Sequence, residues 1–353
     1  MAVTTMGANA VLAKARALYG KRLTSRNYSE MLSCRTVPEI AAYLKNRTPY
    51  AAELEGITPQ VVHREQLEHL LRRHLFGQYA ALARYETAIG RNLYQYFAVQ
   101  CDVEHVLEHL HRLNAGGVSE KQEGIPNFLR RYSRLDESKL AQAQNLAQLA
   151  DALKGTPYWQ TVASFVQSPN FRMENDGALE VEAALTRYEY EAMCRLVDKD
   201  LKGTEREEVL ALLRRRCDLQ SIADISRMKR VLKADEPYLR RRVYTGFSAL
   251  SARQLNGLLD AADEEEFTRR LKTTCYGKEL GHVAYEYIEQ GVQKIQYRWH
   301  SRQLRFSTSP SVVMLCYFFL AENELDNIIH IIEGIRYGMS ADEISRMLVG
   351  TEQ

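Results

Sequence analysis

LAQLADALKGTPY, from Leu146 to Tyr158, decides how this chain is read. Leu146, Leu149, Ala150 and Leu153 recur at three- and four-residue steps, the spacing of one helical face. The stretch closes on LKGTPY (Leu153 to Tyr158), and that closing element occurs twice more, as LKNRTPY from Leu44 to Tyr50 and LKTTCY from Leu271 to Tyr276. In every copy it ends an amphipathic segment: PEIAAYLK, LAQLADALK or EEFTRRLK. The second and third copies follow a helix opening, LDESKL (Leu135 to Leu140) and LSARQL (Leu250 to Leu255). There Asp136 and Ser251 precede the apolar residues as N-caps.

A second element repeats out of phase with the first. It reads CDVEHVLEHL from Cys101, CDLQSIADIS from Cys217 and NELDNIIHII from Asn323, each with an acid (Asp102, Asp218, Glu324) before an aliphatic residue and an amphipathic run. Those acids lie 116 and 106 residues apart, and Lys45, Lys154 and Lys272 of the first element lie 109 and 118 apart. Two unrelated markers with one period of about 110 residues define an internal repeat. With the LK…Y bundle first and the long helix after it, the chain divides into helical units at 1–115, 116–232 and 233–353. Polar, turn-rich breaks at Asn114–Gly124 and Ser168–Gly177 serve as linkers. MSADEISRML (Met339 to Leu348) resembles the LSARQL opening and reads as a truncated fourth copy.

The same helical spacing returns at Leu67, Leu70, Leu71, Leu75, Tyr79 and Leu82, at Val209, Leu212, Leu213, and at Leu325, Ile328, Ile329, Ile332, Ile335. No segment alternates cleanly between apolar and polar with β-branched enrichment, and Gly (19) and Pro (8) are scarce in 353 residues. The fold class is therefore all-α. VVMLCYFFLA (Val312 to Ala321) is the strongest apolar run, but ten helical residues rise about 15 Å, half a hydrocarbon core, so it predicts a buried helix and no membrane span.

Charge narrows the function classes. With 47 basic and 45 acidic residues the net charge is +2, which gives no bulk argument for nucleic acid or an anionic surface. Six dispersed cysteines without a CxxC pair suit reduced thiols, and the N-terminus has no signal-peptide pattern. Gly116-Gly117 lacks a following Gly-Lys-Ser/Thr, and no nucleophile elbow occurs. His105 and His109 are four apart on one helix, but Glu108 sits at the wrong offset for a zinc protease. They read as partly exposed helix histidines, with no metal site. Asp263 to Glu266 read as a charged helix N-terminus. Tyrosine clusters such as Tyr94, Tyr96 and Phe97 read as core, because few basic residues adjoin them. No catalytic residue, cofactor or metal is expected.

On these motifs the chain resembles the C-type stalk component of the bacterial and archaeal V/A-type rotary ATPases, the family that includes the d component of the eukaryotic V-type ATPase. ENELDNIIHIIEGIRYG (Glu322 to Gly338) is similar to the family's C-terminal segment, with Asn323, Asn327 and Ile328 in the family's positions. Cys101-Asp102-Val103 and Cys217-Asp218-Leu219 resemble the family's repeated acid element, departing at His105 and Ser221 where Asn is common. Ala13 to Tyr50 also matches the family layout. The resemblance implies three helical units about a pseudo-three-fold axis, forming a funnel. It also implies a non-catalytic central-stalk role: one copy per complex would link the D/F axle to the membrane c-ring (K/L ring). Torque for ATP-coupled proton or sodium transport would pass through it, on the cytoplasmic face and without a membrane span of its own. Arg214, Arg215, Arg216, Arg240, Arg241 and Arg242 are candidate contacts with axle or ring; each triplet also reads as a solvated helix face. A free-standing helical-repeat adaptor for protein partners is the other reading.

Overall fold

The computed structural model describes residues 2–85, 93–114, 124–125, 129–168, 171 and 177–351. Among these residues the chain is all-helical, without a strand. Both expected linkers, at 114–124 and 168–177, fall largely outside the described residues. Contacts divide the chain into two compact units, one formed by Met1–Ile89 with Gln290–Gln353 and the other by Gly90–Glu289.

In the first unit, α1 (Ala2–Tyr19), α2 (Ser25–Leu32), α3 (Val37–Arg47) and α4 (Arg64–Ala83) come from the beginning of the chain. From its end come α15 (Ile288–Phe306, all but its first two residues), α16 (Pro310–Arg336) and α17 (Ala341–Met347). Helix α16 is the centre: α1, α3, α4 and α17 all pack on it. It starts where Ser309 caps the Val312 N–H and Pro310 occupies the first turn, where a missing N–H costs nothing. It stops at Gly338, whose φ of +70° suits a residue without Cβ, while Met339 N–H donates to the Gly334 carbonyl (2.9 Å). Between those ends Val312 to Leu320 are all buried, each such Leu, Val or Phe contributing about 1.5–3 kcal/mol. No helix of the described residues is long and apolar enough to cross a membrane.

The second unit runs α5 (Leu93–Asn114), α6 (Glu137–Gln142), α7 (Leu146–Ala152), α8 (Trp159–Val166), α9 (Ala178–Asp200) and α10 (Gly203–Val231). It continues through α11 (Glu236–Arg242), α12 (Ala252–Asp260), α13 (Glu264–Lys272) and α14 (Gly277–Leu280). Helix α9 lies along α5, and α8 closes on both it and α7. Val106, Leu110, Leu149, Leu153, Val162, Val181 and Leu185 share one core there. Asp136 and Ser251 are N-caps as the sequence predicts, Ser251 within a full capping box with Gln254. Asp263 caps α13 with Glu264, Glu265 and Glu266 in its first turn. Lys233, with φ of +51°, breaks the chain between α10 and α11.

His109 corrects the expectation of a partly exposed histidine. It is buried, and its Nε2–H donates to the Ala143 carbonyl (2.9 Å) beyond the end of α6 while Arg112 approaches Nδ1. Burial lowers its pKa, so the neutral ring is a core hydrogen-bond donor.

Candidate functional site

The LK…Y element is a turn with one purpose. In each copy a threonine two residues before the tyrosine donates to the carbonyl of the element's leucine: Thr48 to Leu44 (2.6 Å), Thr156 to Leu153 (2.7 Å), Thr274 to Leu271 (2.7 Å). The same hydroxyl accepts the tyrosine's own N–H, at 3.3, 3.3 and 3.2 Å. This local bridge ends the helix and sets the direction of the buried tyrosine.

Each tyrosine hydroxyl then donates to one of the three repeated acids. Tyr158 reaches Asp102 (2.9 Å), Tyr276 reaches Asp218 (2.7 Å), and Tyr50 reaches Glu324 (2.9 Å). A backbone N–H just ahead of a capped helix completes each acceptor: Arg134 N–H to Asp102 (3.2 Å), Ala249 N–H to Asp218 (3.0 Å), Leu23 N–H to Glu324 (2.7 Å). Ser133 and Ser248 add a hydroxyl to the two aspartates. The first copy has Arg22 at the corresponding place and no such hydroxyl. Its helix opening, Thr24 with a full capping box to Asn27, is the counterpart of Asp136 and Ser251.

Burial raises the pKa of Asp102 and of Glu324, and the hydrogen bonds to each oppose that rise. The tyrosines are pushed far up, because burial and the facing carboxylate both disfavour a phenolate. These tyrosines hold their protons, and none is poised for proton transfer near neutral pH. The cluster is a structural clamp, with a buried acid held by two or three donors.

The bonding also joins elements differently from their order in sequence. The first two acids clamp the LK…Y element that follows them, and the last acid, Glu324, clamps the first element, 274 residues away. Asn327, three residues after Glu324, holds the backbone of Val349 in both senses. Its Nδ2 donates to the carbonyl (2.8 Å) and its Oδ1 accepts the N–H (3.0 Å). In α5 and α10 that position is His105 and Ser221.

The two arginine triplets lie in the second unit and are engaged within it. Arg214 sits over the Phe247 ring (5.2 Å), and Arg215 pairs with Glu279 (2.6 Å) while lying over Tyr276 (5.4 Å). Arg216 is half-buried on the same helix. Arg240 pairs with Glu236 (2.6 Å) and Asp260 (2.5 Å), Arg241 with Glu180 (3.4 Å), and Arg242 with Glu182 (3.9 Å). No group of His, Cys, Asp and Glu suited to a metal ion occurs among the described residues.

Fold and clusters together define an all-helical protein organised on a thrice-repeated carboxylate–tyrosine clamp. Residues 11–347 match the family model for the ATP synthase (C/AC39) subunit, and the chain belongs to that family, whose members are subunits of A/V-type ATPases. The C-type subunit of the A-type ATP synthase of Methanosphaera stadtmanae is similar to it, 24% identical over 281 residues that cover 79% of this chain and 68% of the relative.

Proposed function

We propose that this chain is a non-catalytic central-stalk subunit of a rotary A/V-type ATPase, a socket between the D/F axle and the membrane c-ring. The family match over residues 11–347 carries the reading. The repeated clamp supports three like helical units about a pseudo-three-fold axis, the funnel that a socket requires. The bond from Glu324 back to Tyr50 supports closure of the third unit by the beginning of the chain. In this reading one copy per complex carries torque, and close-packed helices suit that task because their interiors are weakly compressible. The three units read from the period, 1–115, 116–232 and 233–353, belong to the same proposal.

The two arginine triplets are retained as candidate contacts with axle or ring. Arg215, Arg240, Arg241 and Arg242 also hold carboxylates of their own unit, with Arg241 the most exposed of the four, so the discriminating variants are Arg214→Glu and Arg241→Glu. Assembly should weaken in these variants while circular dichroism and melting stay near wild type; unchanged assembly removes the triplets from the interface. The role itself is tested by native mass spectrometry of detergent-solubilised host membranes captured through a tag on this chain. One copy together with D, F and ring subunits is the expected result. Recovery with unrelated soluble partners would move the protein to the adaptor class.

A further inference from the structure

One clamp tyrosine is overlaid by a side chain that changes charge near neutral pH. His74, on α4, packs on the Tyr50 ring with centroids 4.4 Å apart. The corresponding neighbours are Tyr188, edge-on to Tyr158 (5.3 Å), and Arg215, over Tyr276 (5.4 Å). His74 Nε2 meets the side-chain amide of Gln78 one turn further along α4 (2.8 Å). The other edge of that amide receives the hydroxyl of Tyr317 from α16. Tyr317 stands two turns before Glu324 on the same helix. His74, Gln78, Tyr317 and Glu324 line one cavity of about 30 Å³, enough for a water molecule to bridge the phenol and the carboxylate.

One proton fixes the direction of this chain of bonds. An amide side chain has one accepting edge and one donating edge. With the Tyr317 O–H donating to Gln78 Oε1, the edge turned to His74 is N–H. His74 Nε2 therefore accepts, and the neutral ring carries its proton on Nδ1. A second proton, gained on Nε2 from solvent, would set two donors face to face, so the amide must turn over. His74 Nε2–H then donates to Gln78 Oε1, and Gln78 N–H donates to the Tyr317 oxygen. The Tyr317 proton is released toward the cavity and Glu324. This is the donor that the copy lacks: Asp102 and Asp218 each have a serine hydroxyl besides the tyrosine and the backbone N–H, whereas Glu324 has only Tyr50 and the Leu23 N–H. Burial lowers the pKa of His74 and keeps the ring neutral at neutral pH, while Glu53, paired with Arg73 (2.8 Å), opposes that shift. Lys21 and Arg22 beyond α1, with Tyr19, Tyr28 and Tyr297, are the other charged or titratable groups on the cavity. An imidazolium on the Tyr50 face repeats what Arg215 does over Tyr276.

We infer that His74, Gln78 and Tyr317 form a proton-reversible latch between α4 and α16, which on acidification turns the Tyr317 hydroxyl to Glu324 and supplies that carboxylate with its third donor. The inference stands on the first unit alone and survives or fails independently of the rotary role. Burial makes the proton on His74 costly, so the neutral ring's contribution to stability is complete above 6.5 and is lost as pH falls through the lower folded value. The reversed chain offsets part of that loss at the joint where the two ends of the polypeptide meet.

The test is nuclear magnetic resonance of the full chain carrying isotope-labelled histidine and tyrosine, titrated from about pH 8 to about pH 5, where histidine changes charge. His74 and Tyr317 are assigned by the signals lost in His74→Gln and Tyr317→Phe. At the alkaline end His74 should be the Nδ1–H tautomer. On acidification it should protonate with a midpoint below 6.5, and the Tyr317 phenol carbon should shift with that same midpoint. Gln78→Met cuts the chain, so Tyr317 should stay still while His74 still titrates. Glu324→Gln removes the charge that draws the Tyr317 proton and should lower the His74 midpoint by roughly half a unit to one unit, the worth of one hydrogen bond. That drop should vanish when Tyr317→Phe is already present. The inference is overturned by an Nε2–H tautomer at the alkaline end, by a His74 that never protonates, or by a Tyr317 signal that ignores His74 in the wild type. It is equally overturned if Glu324→Gln leaves the midpoint unchanged, or if its effect persists without the Tyr317 hydroxyl, since the coupling would then be direct charge.

Discussion

At the scale of single residues the three clamps make a ranked prediction. A hydrogen bond to a buried charge is worth about 1.5–3 kcal/mol, and losing one matters more where fewer remain. Tyr158→Phe and Tyr276→Phe each leave an aspartate with a serine hydroxyl and a backbone N–H. Tyr50→Phe leaves Glu324 with the Leu23 N–H as its hydrogen-bond donor. Chemical denaturation should therefore show all three destabilised, Tyr50→Phe most. Glu324 also carries a pH signature. Burial holds its folded-state pKa above the ordinary carboxyl value of 4.5, so the folded chain binds this proton more tightly than the unfolded chain. Ionisation then costs stability at neutral pH, and the cost fades as pH falls through the raised folded value toward 4.5. Glu324→Gln cannot titrate. Relative to that variant, the wild type should gain stability as pH falls from the raised folded value toward 4.5, read as the difference of two denaturation series. A wild type that instead loses ground to the variant on acidification would mean that burial does not raise this carboxyl's pKa.

At the scale of elements the short helices depend on their caps. Helices α12 and α17 have nine and seven residues, too few to persist without capping and packing. Ser251→Ala and Ser340→Ala each remove one half of a capping box and should cost about 1 kcal/mol. The effect on α17 is local, because Ile344 packs into the space over Gly334 and Asn327 ties down Val349. Asn327→Ala should raise amide exchange over 341–349 while leaving α5 unchanged; wild-type protection over 341–349 would show the Val349 bonds to be dispensable. Gly350 is a harsher test. At φ of +76° an added Cβ would lie 2.2 Å from the Tyr297 ring, so Gly350→Ala should destabilise the first unit by more than Asn327→Ala does.

For the whole molecule, much of the fold was legible in pattern and less of its wiring. Helical spacing, the two N-caps, the Asp263 run and the buried run at 312–320 could be read because each is decided within a few turns of chain. The threonine turn explains why the LK…Y element recurs at all, since Thr48, Thr156 and Thr274 aim the tyrosines. The partner of each tyrosine was not legible. A repeat with one period fits equally well whether an acid binds the tyrosine before or after it, and the bonds from Tyr158 to Asp102, Tyr276 to Asp218 and Tyr50 to Glu324 decide. The arginine triplets look like free surface in sequence because their carboxylates, Glu180, Glu182, Asp260 and Glu279, arrive from helices elsewhere in the second unit.

The clamp between the two ends of the chain also orders events in time. Leu23 and Tyr50 meet Glu324 across 301 and 274 residues of sequence, so a ribosome must deliver nearly the whole polypeptide before that carboxylate finds its donors. Both other clamps lie within Gly90–Glu289 and close over fewer than sixty residues, as the separations of 56 and 58 to their tyrosines indicate. The segment made first is thus completed last. During synthesis Tyr50 waits without Glu324, so any need for a chaperone should persist longest in the oldest part of the nascent chain, as crosslinking of stalled ribosome complexes would show.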